Sequence, residues 1–303
     1  MKALVTNGVS VAETEETAET AETSEADVAP SSISTTKDDS RRKQGCALLR
    51  PGVLAFDGAV PACGLHAHQA VQVILADTPL VVVDGSGERL TGRHLIIPTD
   101  SPHRITDGAA LGLCLYLDPE TALGAEADRR AHLHGWAHDM DESTGARSDA
   151  APHRLRDRVA AVAADLFPAP PRTETVDHDA AVAATLRMLP ALVADGVVRG
   201  SDVAQQLGVS TARLTHLFLD QVGMPLRRYI IWLRLQITTA RVAEGEELGT
   251  AADAAGFAGS ADLTRTFRRA FGLPPSALSA GRQWEFGGWA QTPLVEHHTT
   301  TFP

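Results

Sequence analysis

Residues 251–276 read AADAAGFAGSADLTRTFRRAFGLPPS and carry the most informative local pattern in the chain. Small residues suited to a helix lead to Gly256, which permits a tight turn. Ser260 follows where a helix N-cap is expected, and Leu263 and Phe267 then recur at helical spacing. The pattern predicts two short helices joined by a turn, the arrangement called helix-turn-helix.

A second copy of this pattern lies about 50 residues earlier, in VAQQLGVSTARLTHLF at residues 203–218. Its Gly208, Leu214 and Phe218 correspond to the turn glycine and the two apolar positions of the later copy. Residues 225–245 form one long predicted helix between the copies. A lone helix-turn-helix pattern is common in all-α proteins, and arginines on a helix are usually a solvated face. Two copies at a fixed separation instead favour DNA binding.

The face of each second helix opposite its apolar residues is predicted to meet DNA. Such a helix enters the major groove with its first two turns near base edges. Arg265 suits guanine, because its planar fork reaches two acceptors, and the arginines beyond it suit phosphate. The predicted DNA-binding residues are Thr211, Ala212, Arg213, Thr215 and His216 in the first copy, and Ser260, Ala261, Asp262, Thr264, Arg265, Arg268 and Arg269 in the second.

Residues 179–282 resemble the DNA-binding domain of the AraC/XylS family of bacterial transcription regulators. The most specific part of the resemblance is the spacing from Gly256–Phe257 through Leu263 and Phe267 to Phe271–Gly272 and Pro274–Pro275. It implies two helix-turn-helix units side by side on one face of the DNA, each touching a successive major-groove segment. The base-contacting positions that it implies are Ala212, Thr215 and His216, and then Ser260, Ala261, Asp262, Thr264 and Arg265.

Two departures from the family pattern leave the target sequence open. Ala212 and Ala261 are small where many relatives carry longer polar side chains. Asp262 would repel phosphate unless it accepts a hydrogen bond from a cytosine amine or caps its own helix.

The charge of the chain is unevenly distributed. The formal net charge is −11, yet residues 1–40 alone hold nine acidic residues against two lysines. Few large apolar residues occur there, so we expect residues 1–45 to be a disordered acidic tail. Residues 199–282 hold ten arginines against seven acidic residues. This asymmetry predicts that the C-terminal region meets a polyanion.

Short apolar runs separated by turn residues fill residues 46–122, as in GVLAFDGAV, AVQVILA and LGLCLYLD. They predict an antiparallel sandwich or small barrel. The fold class is therefore α+β, an N-terminal β-barrel followed by an all-α domain with two helix-turn-helix motifs; the resemblance described next implies that this barrel is cupin-like. Residues 123–178 are predicted to be a helical linker whose helices, with the one that follows, offer a dimer-forming face. We expect residues 283–303 to be a flexible tail.

The front domain also resembles the two cupin motifs, in GLHAHQAVQVILA and GRHLIIPTDSPHRI. His66 and His68 match the paired histidines of the first motif, and Gln72 stands where its carboxylate usually lies. His103 matches the second motif. Three imidazoles and an amide oxygen suit a divalent transition metal. In the regulator family such a barrel usually serves as an effector pocket or dimer support, so the three histidines are also candidate pocket residues.

The sequence thus predicts a regulator that is not an enzyme and has no certain cofactor, with a divalent transition metal as a candidate. The alternative is a cupin metalloenzyme, or a metal-sensing protein, that uses His66, His68 and His103 and carries a DNA-binding domain. His132, His134 and His138 form a further histidine run that is better explained as a surface loop. No GxSxG, GxxxxGK[ST], HExxH or GxGxxG motif occurs to support a hydrolase or nucleotide-binding enzyme.

Double-stranded DNA is the expected partner, with a small-molecule effector of unknown identity. RNA polymerase and a second copy of the chain are further candidates. No apolar run is long enough to span a membrane, and no secretory signal pattern is found at the start. Three cysteines lie far apart without CxxC spacing, which fits a reducing compartment. We therefore expect a cytoplasmic, nucleoid-associated protein.

Overall fold

The computed structural model describes residues 45–138, 154–166, 179–196, 198–278 and 283–286. Its strands are β1 (Cys46–Arg50), β2 (Val53–Val60), β3 (Cys63–His66), β4 (Val71–Asp84), β5 (Arg89–Ile97), β6 (His103–Asp107), β7 (Ala109–Leu117) and β8 (Gln283–Phe286). Its helices are α1 (Ala122–His134), α2 (Leu155–Leu166), α3 (Ala180–Ala194), α4 (Gly200–Gln206), α5 (Thr211–Val222), α6 (Leu226–Ala243), α7 (Leu248–Ala254) and α8 (Ser260–Phe271), followed by a 3₁₀ turn (Pro275–Leu278).

The eight strands form one sheet in the order β3-β6-β4-β7-β2-β1-β8, with β5 paired to β4. The long strand β4 organises the sheet, because its first half pairs with β5 and β7 and its second half with β5 and β6. All pairs are antiparallel except β1 with β8. The prediction of a sheet-rich front domain followed by a helical domain is confirmed. Among the described strands the sheet is open, since no ladder joins β3 to β8.

Two apolar cores flank the sheet. One core lies between α1, α2 and one face of the sheet, and Val73, Leu115, Val159 and Val162 are among its buried residues. The other begins on the opposite face and continues without a break into the C-terminal helices. The described parts of the sheet domain and of the helical domain therefore belong to one compact unit.

The apolar stripes of α2 and α3 face the interior of the chain. Val159 and Val162 of α2 pack on the sheet, and Val182 and Leu189 of α3 lie in the core shared with the C-terminal helices. These apolar residues are therefore not available to a second chain, and the prediction that the helices supply a dimer-forming face stays a prediction for their exposed residues. Their periodicity is explained by burial within a single chain.

The predictions of a disordered N-terminal tail and a flexible C-terminal tail have different outcomes. Residues 1–44, almost all of the predicted acidic tail, lie outside the described residues. The prediction of a flexible tail from residue 283 is wrong for Gln283–Phe286, because these residues pair with β1 as β8. Residues 287–303 lie outside the described residues. Among the described helices, none is both long enough and apolar enough to cross a membrane.

Candidate nucleic-acid interface and histidine cluster

The first helix-turn-helix unit consists of α4 and α5. Gly208 adopts a left-handed conformation (φ 66°), as the tight turn requires. The Ser210 side chain accepts a hydrogen bond from the backbone N–H of Arg213 (3.2 Å), so it is the N-cap of α5. Leu214 and Phe218 are fully buried below the helix. Gly208, Leu214 and Phe218 thus have the roles in the turn and the core that the sequence assigned to them.

The second unit consists of α7 and α8, with Gly256 in the left-handed turn position (φ 81°). The N-cap of α8 is Gly259, which makes no side-chain capping bond, so the assignment of Ser260 as the cap is wrong by one residue. Asp262 supplies a carboxylate to this end of the helix instead. Its Oδ2 accepts from the backbone N–H of Ala258 (3.2 Å), and its Oδ1 accepts from Arg265 Nη2 (3.2 Å).

The predicted DNA-facing surfaces are open in both units. Asp262 and Thr264 are half-buried, and the other ten predicted residues are exposed, with the Arg265 side chain 71% accessible. The Thr215 and Thr264 hydroxyls donate to the carbonyls of Thr211 and Ser260, at 2.8 and 2.7 Å. These two threonines therefore present a methyl group and oxygen lone pairs rather than a free donor. Contact of the twelve residues with DNA stays a prediction.

One buried helix, α6, holds the two units at a fixed spacing. Phe218 of α5 meets Tyr229 edge to face, with ring centroids 5.4 Å apart. Phe271 of α8 meets Trp232 in the same way, also at 5.4 Å. Each DNA-facing helix is thus anchored by its last aromatic residue to an aromatic residue of α6.

Comparison with known proteins agrees with this geometry. Residues 203–281 match the family model described as a helix-turn-helix domain. This region is a DNA-binding domain of the AraC type. The match covers α6, the second unit and all but the first three residues of the first unit, and it confirms the sequence prediction of a DNA-binding regulator.

Solved structures provide remote likenesses. The C-terminal domain of AraT, a response regulator from Geobacillus stearothermophilus, is 14% identical, with a TM-score of 0.33 over 42% of this chain and 99% of that one. ToxT from Vibrio cholerae is 8% identical, with a TM-score of 0.40 over 76% of this chain and 99% of that one. ToxT from strain SCE256 with bound unsaturated fatty acid is 11% identical, with a TM-score of 0.39 over 75% and 94%. No curated protein sequence compared with the chain matches significantly.

The structure brings the three predicted histidines together in the sheet domain. His66 on β3 pairs directly with His103 on β6, and His68 follows in the loop after β3. One ring nitrogen of each histidine lies within 4.8 Å of those of the other two. His68 and His103 are buried, whereas His66 is half-buried. Within the described part of the chain this is the one such cluster, and the run around His132 forms none.

Backbone carbonyls fix the orientation of all three rings. The Nδ1 atoms of His66, His68 and His103 lie 2.9 Å from the carbonyl oxygens of Gly64, Ala70 and Ser101, respectively. Each Nδ1 therefore donates, and each Nε2 keeps its lone pair for a ligand. Metal-binding histidines are typically held in this way, with the other ring nitrogen donating to a carbonyl or carboxylate oxygen.

Burial keeps two of the three rings neutral. It lowers the pKa of His103 to about 4 and also lowers the pKa of His68. Contact with the Cys63 thiol raises the pKa of His66. Neutral imidazole is the form that binds a metal, so His68 and His103 are ready ligands at neutral pH.

Two features of the cluster fit a cation. His103 Nε2 is buried and has no hydrogen-bond partner. His68 lies between two acceptors, because its Nε2 is 3.2 Å from Gln72 Oε1 while its Nδ1 faces the Ala70 carbonyl. A neutral imidazole has one N–H and satisfies only one of these contacts. The Gln72 amide donates to Cys114 Sγ (3.0 Å) and Tyr116 OH (3.3 Å), which turns its oxygen towards His68. A divalent cation near both atoms would satisfy Nε2 and Oε1 together.

Asp100 lies between β5 and β6, in the stretch that resembles the second cupin motif. Its φ of 52° is left-handed, a region that glycine favours and that Asp tolerates better than most residues. Its backbone N–H donates to the His68 carbonyl (2.8 Å), which helps to position the histidine loop.

Sequence reasoning missed the residues that join the sheet domain to the helices. Asp118, just after β7, accepts from Arg228 Nη2 (2.7 Å), Arg228 Nε (3.0 Å) and Trp232 Nε1 (2.7 Å). The Asp118 side chain is fully buried. A charged residue at the end of an apolar strand indicates a buried ion pair. The sequence alone does not identify its partners, because they lie more than 100 residues away in the chain.

A cavity of about 350 Å³ lies beside this ion pair, between the sheet domain and helices α6 and α8. Apolar residues Ile231, Trp232 and Phe271 form part of its wall, and Arg228 and Arg269 add positive charge. The effector residues predicted from sequence, His66, His68 and His103, do not line it. The cavity was missed because it exists only where the two domains meet.

Proposed function

We propose that this chain is a sequence-specific transcription regulator whose DNA binding is controlled by a small-molecule effector. In this proposal α5 and α8 enter neighbouring major-groove segments of one duplex. The sheet domain holds the effector and alters the position of the helices. The chain acts in the cytoplasm at the nucleoid, and RNA polymerase and a second copy of the chain are its candidate protein partners.

The observation that carries the proposal is the pair of open helix faces on one rigid support. Both α5 and α8 bury their apolar side against α6 and leave their polar side exposed. Four of the exposed residues are arginines, in a chain that is acidic overall. A solvated helix face does not need this fixed spacing, whereas adjacent major-groove segments do.

The position of the cavity supports effector control. At about 350 Å³ it falls in the range of small-molecule sites, and such sites often lie between domains. Its walls come from the loop at Gln69 and Ala70, from α6 and from α8. A ligand in the cavity would contact the sheet domain and the second helix-turn-helix unit at once. If it binds one arrangement of these two parts more tightly than the other, it shifts the equilibrium towards the arrangement that it prefers.

We propose that the chain is not an enzyme. The metalloenzyme alternative needs an open position beside the ion for a substrate. Here His68 and His103 are buried, and Gly272 of the DNA-binding domain lies against the rings of His66 and His68. Absence of turnover on small phenols and sugars, with metal supplied, is the expected result, and turnover would favour the alternative.

Selection from a random-sequence duplex library tests DNA recognition without assuming any operator sequence. We expect enrichment of a site with two conserved segments about 10 base pairs apart, one helical turn. The paired substitution His216→Ala and Arg265→Ala should abolish enrichment, while Arg187→Ala, an exposed residue of α3 outside the predicted DNA-binding set, should not. Absence of any enriched site with the folded protein would refute the proposal.

A further inference from the structure

The histidine cluster lies against the end of the DNA-facing helix α8. Gly272 terminates α8 in a left-handed conformation (φ 69°). A Cβ at this position would lie 2.5 Å from Cδ2 of His66 and 3.0 Å from Cδ2 of His68. The space between Gly272 and the two rings is thus too small for a side chain, and the glycine backbone packs directly against the rings.

Hydrogen bonds extend this contact along the last turn of α8. The backbone N–H groups of Gln69 and Ala70 donate to the carbonyls of Arg269 and Ala270, each at 2.9 Å. The sheet domain thus satisfies carbonyls that a helix C-terminus otherwise leaves to solvent. We call this contact, Gln69–Ala70 against Arg269–Gly272, the seam.

The seam and the cluster share a backbone segment. His68 Nδ1 donates to the carbonyl of Ala70, whose own N–H donates across the seam. The Gln69 amide, oriented to accept, takes hydrogen bonds from Arg269 Nε and Nη2, at 3.0 and 3.1 Å. The seam therefore holds one of the arginines that the sequence assigns to phosphate contact.

We propose that a divalent transition-metal ion bound by His66, His68 and His103, with Gln72, opens the seam and strengthens DNA binding. This inference rests on the proposed function and names one effector class and its action. Nitrogen ligands of a tetrahedral ion such as Zn²⁺ lie about 3.4 Å apart, since each metal–nitrogen bond is about 2.0–2.1 Å. The ring nitrogens here all lie within 4.8 Å of one another, a limit that leaves room for the cluster to contract around an ion.

Closing the cluster around an ion moves the rings that Gly272 contacts. His66 and His68 shift inward, and the peptide segment at Gln69–Ala70 follows because Ala70 is bonded to the His68 ring. Both hydrogen bonds of the seam are then broken. Arg269 loses its partner in Gln69 and becomes available to a DNA phosphate.

The first test measures ion binding by the full-length, untagged, metal-stripped protein. Titration with Co²⁺ should give a visible absorption band that saturates at one ion per chain and is displaced by Zn²⁺. His103→Ala should lose the band, whereas His132→Ala, on the exposed end of α1, should keep it. Absence of a stoichiometric band in the folded wild-type protein overturns the proposal.

The second test asks whether the ion opens the seam. Hydrogen exchange at the amides of Gln69 and Ala70 should accelerate when Zn²⁺ is added, and the amides of β7 should be unaffected. Unchanged exchange at the seam with the ion bound would contradict the inference. The His103→Ala protein should show no response to Zn²⁺.

The third test links the ion to DNA, using the duplex selected above. Saturating Co²⁺ should raise the affinity for DNA at least about fivefold, the lower end of ordinary allosteric coupling, and DNA should raise the affinity for Co²⁺ by the same factor. Gln69→Ala should bind DNA more tightly without metal and gain less from it. Equal affinity with and without bound ion refutes the inference alone, whereas loss of sequence-specific binding in every state refutes the proposed function.

Discussion

The two helix-turn-helix units share a plan but differ at the ends of their DNA-facing helices. Gly223 ends α5 and Gly272 ends α8, and both are left-handed, with φ of 73° and 69°. A Cβ at Gly223 would meet nothing within 4 Å, whereas one at Gly272 would collide with the histidine cluster. Among the described residues, the C-cap glycine thus has no neighbour beyond its own helix end in the first unit, whereas in the second unit it contacts the sheet domain.

The units also differ in charge. Alignment through their buried leucine and phenylalanine places His216, Leu219 and Asp220 of α5 opposite Arg265, Arg268 and Arg269 of α8. The second unit therefore carries most of the positive charge directed at DNA. Because the same unit is attached to the sheet domain, control exerted at the seam would act where electrostatic attraction to DNA is greatest.

The largest expected effect comes from removing the attachment that both units share through α6. Asp118→Ala removes the buried acceptor of Trp232 and leaves the largely buried Arg228 with only its longer contact to Glu120 (3.5 Å), which should lower the free energy of unfolding by about 3–5 kcal/mol. Urea denaturation measures it. Arg227→Ala is the matched control, since that side chain is 80% exposed and its ion pair is long (3.9 Å), and it should change stability by less than about 1 kcal/mol.

The two terminal glycines give the most direct comparison of the units. An alanine in the left-handed region costs about 1–2 kcal/mol at either position. In Gly272→Ala, overpacking against the histidines should lower the free energy of unfolding by about a further 1–3 kcal/mol. This additional loss disappears if the seam opens and relieves the overpacking. Thermal and urea unfolding of both variants, with seam hydrogen exchange, separate these outcomes. If Gly223→Ala and Gly272→Ala lower the free energy of unfolding equally and the seam stays intact, Gly272 does not pack against the histidines.

Removal of the base-facing arginine should distinguish the units in DNA recognition. Arg265→Ala is expected to weaken binding to the selected site by about 1–3 kcal/mol, the usual contribution of a bidentate contact to guanine. His216→Ala, at the aligned position of α5, is the comparison. Fluorescence anisotropy with single-base variants of the site measures both. An equal loss on every sequence would mean that Arg265 contacts only the backbone.

The smallest effect is expected from a flanking charge. Arg268→Ala should reduce the slope of log affinity against log salt by about one, because one phosphate contact is lost. Leu219→Ala, at the aligned and 46% exposed position of α5, should leave the slope unchanged. Binding measured across a salt series tests this, and an unchanged slope for Arg268→Ala would remove it from the interface.

The helical domain was predictable because its signals are local. Turn glycines and apolar residues at fixed spacing specified both units, and even the capping role suggested for Asp262 is present, through its bond to Ala258. The sheet was only partly predictable. The runs AVQVILA and PLVVVDG proved to be one strand, β4, whose register shifts between Leu75 and Leu80.

What sequence reasoning missed depends on long-range pairing. Strand β8 joins β1 across more than 200 residues of chain, and nothing local in QWEF distinguishes it from a loose tail. The histidine positions were found from motif spacing, yet their contact with Gly272 was not. A glycine after a helix predicts a C-cap, and whether a second domain presses on it is a property of tertiary packing.

Strand β8 limits how far the second unit can travel. The Trp284 indole N–H donates to the carbonyl of Leu278 (3.0 Å), and β8 then runs beside β1 in the sheet domain. When the seam is open, the second unit therefore remains connected to the sheet domain on its C-terminal side through β8, and on its other side through α6. Because these connections keep the second unit close to Gln69–Ala70, its effective concentration there is high. The seam should therefore close again quickly once the ion is removed.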